Sequence, residues 1–284
     1  MATTIPSQSQ GLQSSSHWNC INIERSYVGK FLNAYSNDLI TTSSTHVLSY
    51  PSSRVLDVAT GTGLVAFDLF NYLYEHHPSH QVKIDGIDYA SIMVESANKK
   101  KLQLIEKTQK PTDMEFIIMD GQDLKFPNET FSTIYSNMGI LFFPDIAKGF
   151  SEMERVLKIG GKAFISTWTK QIPIEIAIDV LEREGKDLSS MEAIFSLSDT
   201  QVVESFGKQA GFSQVTCETV SHSFMTSVAE YVEFSLYVIP SSLWKSNEEK
   251  EEFKKSLISE LNTHSNDQNK INVHAQAHIV TLTK

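Results

Sequence analysis

The chain has 284 residues and, with 24 Lys and Arg against 34 Asp and Glu, a formal net charge of −10. That length allows one sizeable core, or a core with an appended cap, and 40% hydrophobic with 20% charged residues is an ordinary soluble globular composition. The acidic balance argues against an extended nucleic-acid surface, whose affinity comes largely from neutralised phosphates, and no apolar run approaches the length of a bilayer span. Residues 1–16 are rich in Ser, Thr and Gln, with no charged side chain and no apolar h-region. They read as a disordered tail rather than a signal peptide, leaving 17–284 as a single expected domain.

Within Ile21–Ile40, Val28, Phe31, Leu32, Tyr35 and Leu39 recur at the helical period. The segment is expected to form a lid helix over a cleft or to cover the sheet edge. A polar stretch, Ser43-Ser44 to Ser52-Ser53, then leads to the first strand. There, Val55-Leu56-Asp57-Val58-Ala59-Thr60-Gly61-Thr62-Gly63-Leu64 runs from an apolar strand ending in an acid, through a Gly-rich turn, into an apolar helix. Glycine lets the backbone turn tightly against a ligand, and the next helix presents unpaired N–H groups and a positive dipole end. Gly61-Thr62-Gly63-Leu64-Val65-Ala66 also satisfies the dinucleotide fingerprint. Asp57, however, stands where a dinucleotide fold carries apolar strand. An acid there suits a ligand with a cationic amino group and no pyrophosphate, such as S-adenosylmethionine.

Further strands are expected at Gln81–Asp88, Met114–Asp120, Phe131–Asn137 and Gly161–Thr167, separated by helices at Leu64–Tyr74, Ala90–Glu106 and Ile146–Leu157. This alternation predicts an α/β fold with a doubly wound parallel sheet. Ligands bind such sheets beyond the carboxyl ends of the strands, and Asp57, Asp88 and Asp120 all fall at or beside those ends. The Lys99-Lys100-Lys101 run lies in the C-terminal half of a helix and reads as dipole compensation on a solvated face. Past the fifth strand, helices are expected at Ile174–Arg183 and from Ser198 to Gly207 or Gly211, then a strand at Phe212–Val220. A capping-box helix from Ser246 carries Phe253, Leu257, Ile258 and Leu261, and Val273–Thr283 is the last strand.

Val55–Leu64, Asp88-Tyr89-Ala90-Ser91-Ile92-Met93, Asp120-Gly121-Gln122-Asp123-Leu124-Lys125-Phe126 and Glu152–Gly161 resemble successive motifs of class I S-adenosylmethionine-dependent methyltransferases. The branch the chain most resembles is the one containing the ubiquinone/menaquinone C-methyltransferases and many small-molecule enzymes. Tyr135–Asp145 and Ser166-Thr167-Trp168 are most similar to fungal small-molecule methyltransferases such as the gliotoxin thiol S-methyltransferase. The resemblance covers residues 54–168 and, loosely, 196–240. It implies a Rossmann-like seven-stranded sheet whose last strand is antiparallel, a helical N-terminal lid and C-terminal caps. The lid and cap segments are 21–45, 172–200 and 221–265, around a core of 54–168. It implies S-adenosyl-L-methionine as cofactor, with Asp57 and Gly61 at its methionine end, Thr60 and Gly63 also cofactor-binding, and Asp88 on the ribose hydroxyls. Tyr89 and Met93 would flank the adenine, Asp120 would accept from its amino group, and the Gly121 or Gln122 N–H would donate to the ring. Asn137 would sit near the sulfonium and position the acceptor. Two departures from the common pattern, Lys125 for proline and Ser132 for an acid, lie away from that shell.

Methyl transfer is an in-line displacement in which the protein chiefly aligns the reactants and excludes water. A base is needed only where the acceptor must lose a proton. His222, placed after the sixth strand, is the candidate base. Phe142, Trp168 and Phe224 are candidate walls for a flat or apolar substrate, with Phe143, Tyr231 and Phe234 in the same segments. His76-His77-Pro78-Ser79-His80 falls at the amino end of the sheet, and His274 and His278 lie in the last strand without matching ligands, so no metal is expected. Cys20 and Cys217 make no framework, which fits a reducing, cytoplasmic location. The expected function is methylation of a small apolar or aromatic metabolite at S, O or C, with a small-molecule substrate and no nucleic-acid partner. The alternatives are a quinone-ring C-methyltransferase, a non-catalytic cofactor-binding protein and a nicotinamide oxidoreductase.

Overall fold

Among the described residues, 27–109 and 112–284 of a computed structural model, seven strands join in one sheet. They are β1 (Ser52–Val58), β2 (Gln81–Asp88), β3 (Met114–Ile118), β4 (Phe131–Asn137), β5 (Leu157–Trp168), β6 (Gln214–Ser227) and β7 (Lys270–Thr283). The expected tail, 1–16, and the first residues of the expected leading helix lie outside the described residues. The sheet order is β3-β2-β1-β4-β5-β7-β6, with β1 to β5 parallel and β7 antiparallel to both neighbours. The order reverses between β1 and β4, a switch point that opens a crevice beyond their carboxyl ends.

The central strands β1 and β4 and the C-terminal half of β5 read as near-continuous apolar or small-residue runs because both faces are covered. On one face Val55, Ile84, Tyr135 and Phe164 pack under α1 (Tyr27–Leu48), α2 (Leu64–His76) and α3 (Ser91–Thr108). On the other, Leu56, Ile87, Ile134 and Ile165 meet α4 (Ile146–Val156) and α6 (Thr200–Ala210). The core of this second face extends into α5 (Glu175–Arg183), α7 (Val228–Val238) and α8 (Asn247–His264). α8 packs on both α5 and α7, and Arg183 of α5 pairs with Glu260 of α8 at 2.7 Å. No helix among the described residues is long and apolar enough to cross a membrane.

Three elements depart from the sequence reading. The leading helix continues past Ile40 to Leu48, because Ser43 and Ser44 donate to the Ile40 and Thr41 carbonyls at 3.1 and 3.0 Å instead of breaking the helix. Only its first turns reach the crevice; the remainder lies along the sheet. β6 runs seven residues beyond Val220, as Ser221–Ser227 keep pairing with 270–276 of β7. That pairing places 221–227 in the sheet rather than in a cap. Finally, α7 begins with a full capping box, Ser227 with Glu230, where no helix was expected.

Candidate functional site

The turn after β1 is built from left-handed residues. Ala59, Gly61 and Gly63 have φ of 55°, 56° and 86°, and a Cβ on Gly63 would fall 2.6 Å from the Phe67 ring. No side chain caps α2 at Gly63, and Leu64 and Val65 of its first turn line the crevice, where the start of a helix favours an anionic group. Asp57, lying between Gly86 of β2 and Tyr135 of β4, is 1% exposed. Its Oδ2 accepts from the Thr60 hydroxyl at 2.6 Å, while Oδ1 makes no hydrogen bond of ordinary geometry. Burial pushes the carboxyl up to about 7, against the Thr60 hydroxyl and the Ala66 amide, with Asp88 and Asp68 adding repulsion. A buried acid without a counter-charge is a costly arrangement. A cationic amino group on a ligand would satisfy it.

Asp88, at the end of β2, holds the turn from the other side. Its Oδ2 accepts from the Gly61 amide at 2.8 Å and its Oδ1 from the Ala90 amide at 2.9 Å. Burial raises its pKa and these amides oppose the rise. The Tyr89 amide also bonds this carboxylate, and with three amides on four lone pairs it retains acceptor capacity for a hydroxyl donor. Asp120 lies two residues past β3 and is solvent-exposed at the crevice rim. Its Oδ1 accepts from both the amide and the side chain of Gln122, at 2.8 and 3.0 Å. The Gln122 N–H expected for a ligand ring is thus already engaged by Asp120.

These acids open into one cavity of about 490 Å³, a volume ordinary for a small-molecule site. Asp57, Thr60, Gly61, Asp88, Tyr89, Met93, Asp120, Gly121, Gln122 and Asn137 line it; of the residues expected at the cofactor, Gly63 alone does not. Tyr89 is 58% exposed, whereas Met93 is buried. The donor set fits S-adenosylmethionine: an orphaned buried acid for its amino group, a hydroxyl-accepting acid, and a third acid at the far rim. Asn137 lines the cavity, yet its amide is committed within the protein. Nδ2 donates to the Leu32 carbonyl of α1 at 3.0 Å, and Oδ1 accepts from the Ser166 hydroxyl at 2.6 Å. It therefore latches α1 to the ends of β4 and β5.

The other end of the cavity is apolar, walled by Leu32, Phe142, Phe143, Trp168, Ile194 and Phe234. Two expected residues fall outside it. Because β6 is longer than expected, His222 lies within the strand and faces α1, its Nε2 2.6 Å from Asp38 Oδ2 and its ring 5.1 Å from that of Tyr35. Phe224 packs on Phe31 at 4.4 Å between ring centroids. Neither is among the cavity-lining residues. Tyr231 likewise turns to structure, its hydroxyl accepting from the Ile176 amide at 3.1 Å.

The lysine run is not wholly a solvated face. Lys100 donates to the Thr62 hydroxyl at 2.9 Å and lines the cavity, and Lys101 donates to the Met114 carbonyl at 3.1 Å. Lys100 stands seven residues after Met93, on the same helical face, which was the available signal. Among the other histidines, His80 bonds Ser53 at 3.1 Å, His274 bonds Ser223 at 2.7 Å and His278 bonds Thr219 at 3.0 Å. Among the described residues, no group of three or more His, Cys, Asp or Glu is placed to hold a metal ion.

Comparison with known proteins gives the same frame. A model of the ubiE/COQ5 methyltransferase family matches residues 38–180. The ubiquinone/menaquinone biosynthesis C-methyltransferase UbiE of Geotalea daltonii is 35% identical over 115 residues, 40% of this chain and 45% of that protein. The methyltransferase tpcH of Aspergillus fumigatus is 26% identical over 246 residues, 83% of this chain and 84% of that protein. The chain spans about half the length of several curated relatives that it matches. In fold, it is similar to the YcgJ protein from Bacillus subtilis, with a TM-score of 0.56 and 17% identity over 87% of this chain and 98% of that one.

Proposed function

Since the chain belongs to the ubiE/COQ5 methyltransferase family, we propose that it transfers a methyl group from S-adenosyl-L-methionine to a small apolar or aromatic acceptor. The observation that carries this reading is the single cavity that joins Asp57, Asp88 and Asp120 to a wall of Phe142, Trp168 and Phe234. Bound there, the cofactor supplies a methyl group on a sulfonium that leaves as a neutral thioether. Asp57 holds the amino group and Asp88 the ribose hydroxyls, while Asp120 takes the exocyclic amine of the base. The amides at the start of α2 face the carboxylate end. Phe142, Trp168 and Phe234 hold the acceptor by its apolar faces, exclude water and place π-density near the cation. Asn137 fixes α1 against the strand ends and so keeps Leu32 in that wall.

A quinone-ring acceptor methylated at carbon is the second reading. It is supported by the names of relatives such as the UbiE protein of Geotalea daltonii and the mitochondrial 2-methoxy-6-polyprenyl-1,4-benzoquinol methylase of Leishmania donovani, 26% identical over 179 residues. Incubation with methyl-labelled cofactor and a panel of thiols, phenols and quinones tests both. Label in a thiol or phenol supports the broad reading, and label on a quinol ring carbon supports the second. Cofactor binding without transfer to any small molecule, or transfer only to polypeptide or nucleic acid, contradicts both.

A further inference from the structure

Gln122 joins the two ends of the cavity. Its Nε2 donates to Asp120 Oδ1 at 3.0 Å, and its Oε1 accepts from the Asp145 amide at 2.7 Å. Asp145 caps α4, its Oδ1 accepting from the Lys148 amide at 2.9 Å, and it directly follows the cavity-lining residues Phe142, Phe143 and Pro144. The Gln122 amide makes a second bond to the same Asp120 oxygen, at 2.8 Å. Asp120 itself is exposed on the loop after β3, where an unsupported carboxylate would rotate freely about its side-chain torsions. Both Gln122 donors fall on Oδ1, so Oδ2 stays outside that pair of bonds.

We propose that Gln122 is a positioning residue: its side chain fixes the Asp120 carboxylate in an orientation that accepts from an exocyclic amine, and thereby sets the nucleobase choice of the site. This inference rests on the cofactor reading above. A fixed carboxylate oxygen rewards the 6-amino group of adenine and repels the 6-oxo group of hypoxanthine, whose lone pairs face its own. A carboxylate held by the Gln122 amide alone turns more easily and discriminates less. Glutamine suits both tasks because its amide donates at one atom and accepts at the other.

The test is a titration of wild type, Gln122→Met and Gln122→Glu at pH 8 with S-adenosylhomocysteine and S-inosylhomocysteine, read as heat or intrinsic fluorescence. The wild type is expected to prefer the adenosyl ligand by about 100-fold. Both variants should lower that preference about tenfold, through weaker adenosyl binding and inosyl binding that is unchanged or tighter. Gln122→Glu keeps an acceptor for the Asp145 amide, so its thermal unfolding should follow wild type while its selectivity falls. Equal weakening of both ligands would mean a merely structural role and overturn the inference. So would an unchanged preference in either variant, or a wild type indifferent to the base. A wild type that binds neither ligand removes the cofactor reading itself, and the inference with it.

Discussion

The two ends of the cavity are built differently. On the acidic side each carboxylate stands at or just past the end of its own parallel strand and accepts from groups close in sequence or on the adjacent turn: Asp57 from the Thr60 hydroxyl, Asp88 from the Gly61 and Ala90 amides and Asp120 from Gln122. On the apolar side the wall is assembled from separated pieces: Leu32 on α1, Phe142 after β4, Trp168 ending β5, Ile194, and Phe234 on α7. Hydrogen bonds fix the first end; packing against the cap holds the second. A rigid constellation suits a common cofactor, and a wall drawn from loops and caps can be reshaped for one acceptor without disturbing the cofactor site.

That contrast is broken most sharply by Asp88→Ala. It removes the hydroxyl acceptor and unties the Gly61 and Ala90 amides together, so calorimetry should show cofactor affinity reduced by about 100-fold or more. Next, Trp168→Ala or Phe234→Ala should raise the acceptor KM about tenfold while leaving the cofactor Kd within about twofold. A parallel loss of cofactor affinity would erase the distinction between the two ends. Asp57 sharpens the acidic side through pH. Its carboxyl stays protonated up to about 7 in the empty protein, and a cationic amino group beside it favours the ionised form. Binding near neutrality should therefore release a proton, and cofactor affinity should fall by up to about tenfold for each pH unit below 7. Asp57→Asn should flatten that slope. The same group makes the empty protein less stable as pH rises from the ordinary carboxylate range to about 7, because the unfolded chain ionises first. The smallest effect belongs to His222→Leu, which severs the contact with Asp38. It should cost about 1 kcal/mol in urea unfolding and leave kcat unchanged; a large fall in kcat would restore His222 to the chemistry.

The acidic end was legible because its signals are local. Asp57, Asp88 and Asp120 each follow an apolar run, and Gly61 and Gly63 mark the turn. Strand alternation then puts all three on one rim. The latch made by Asn137 was not legible, since its partner Leu32 is 105 residues away. His222 was misplaced for a related reason: the polar alternation of Ser221–Ser227 reads as loop until β7 is known to pair with it. Ser43 and Ser44 misled by composition, their hydroxyls being satisfied inside the helix. One miss was avoidable. Ser227-Val228-Ala229-Glu230 is a capping-box pattern at the start of α7, the helix that brings Phe234 to the wall.

The most direct measurement is a crystal structure of the protein with S-adenosylhomocysteine. The account predicts its amino group within hydrogen-bond distance of Asp57 Oδ1, its ribose hydroxyls on Asp88, its adenine amine on Asp120 and its sulfur facing the wall of Phe142 and Trp168. A ligand bound elsewhere, or seated in this cavity with Asp57 and Asp88 unengaged, would contradict it.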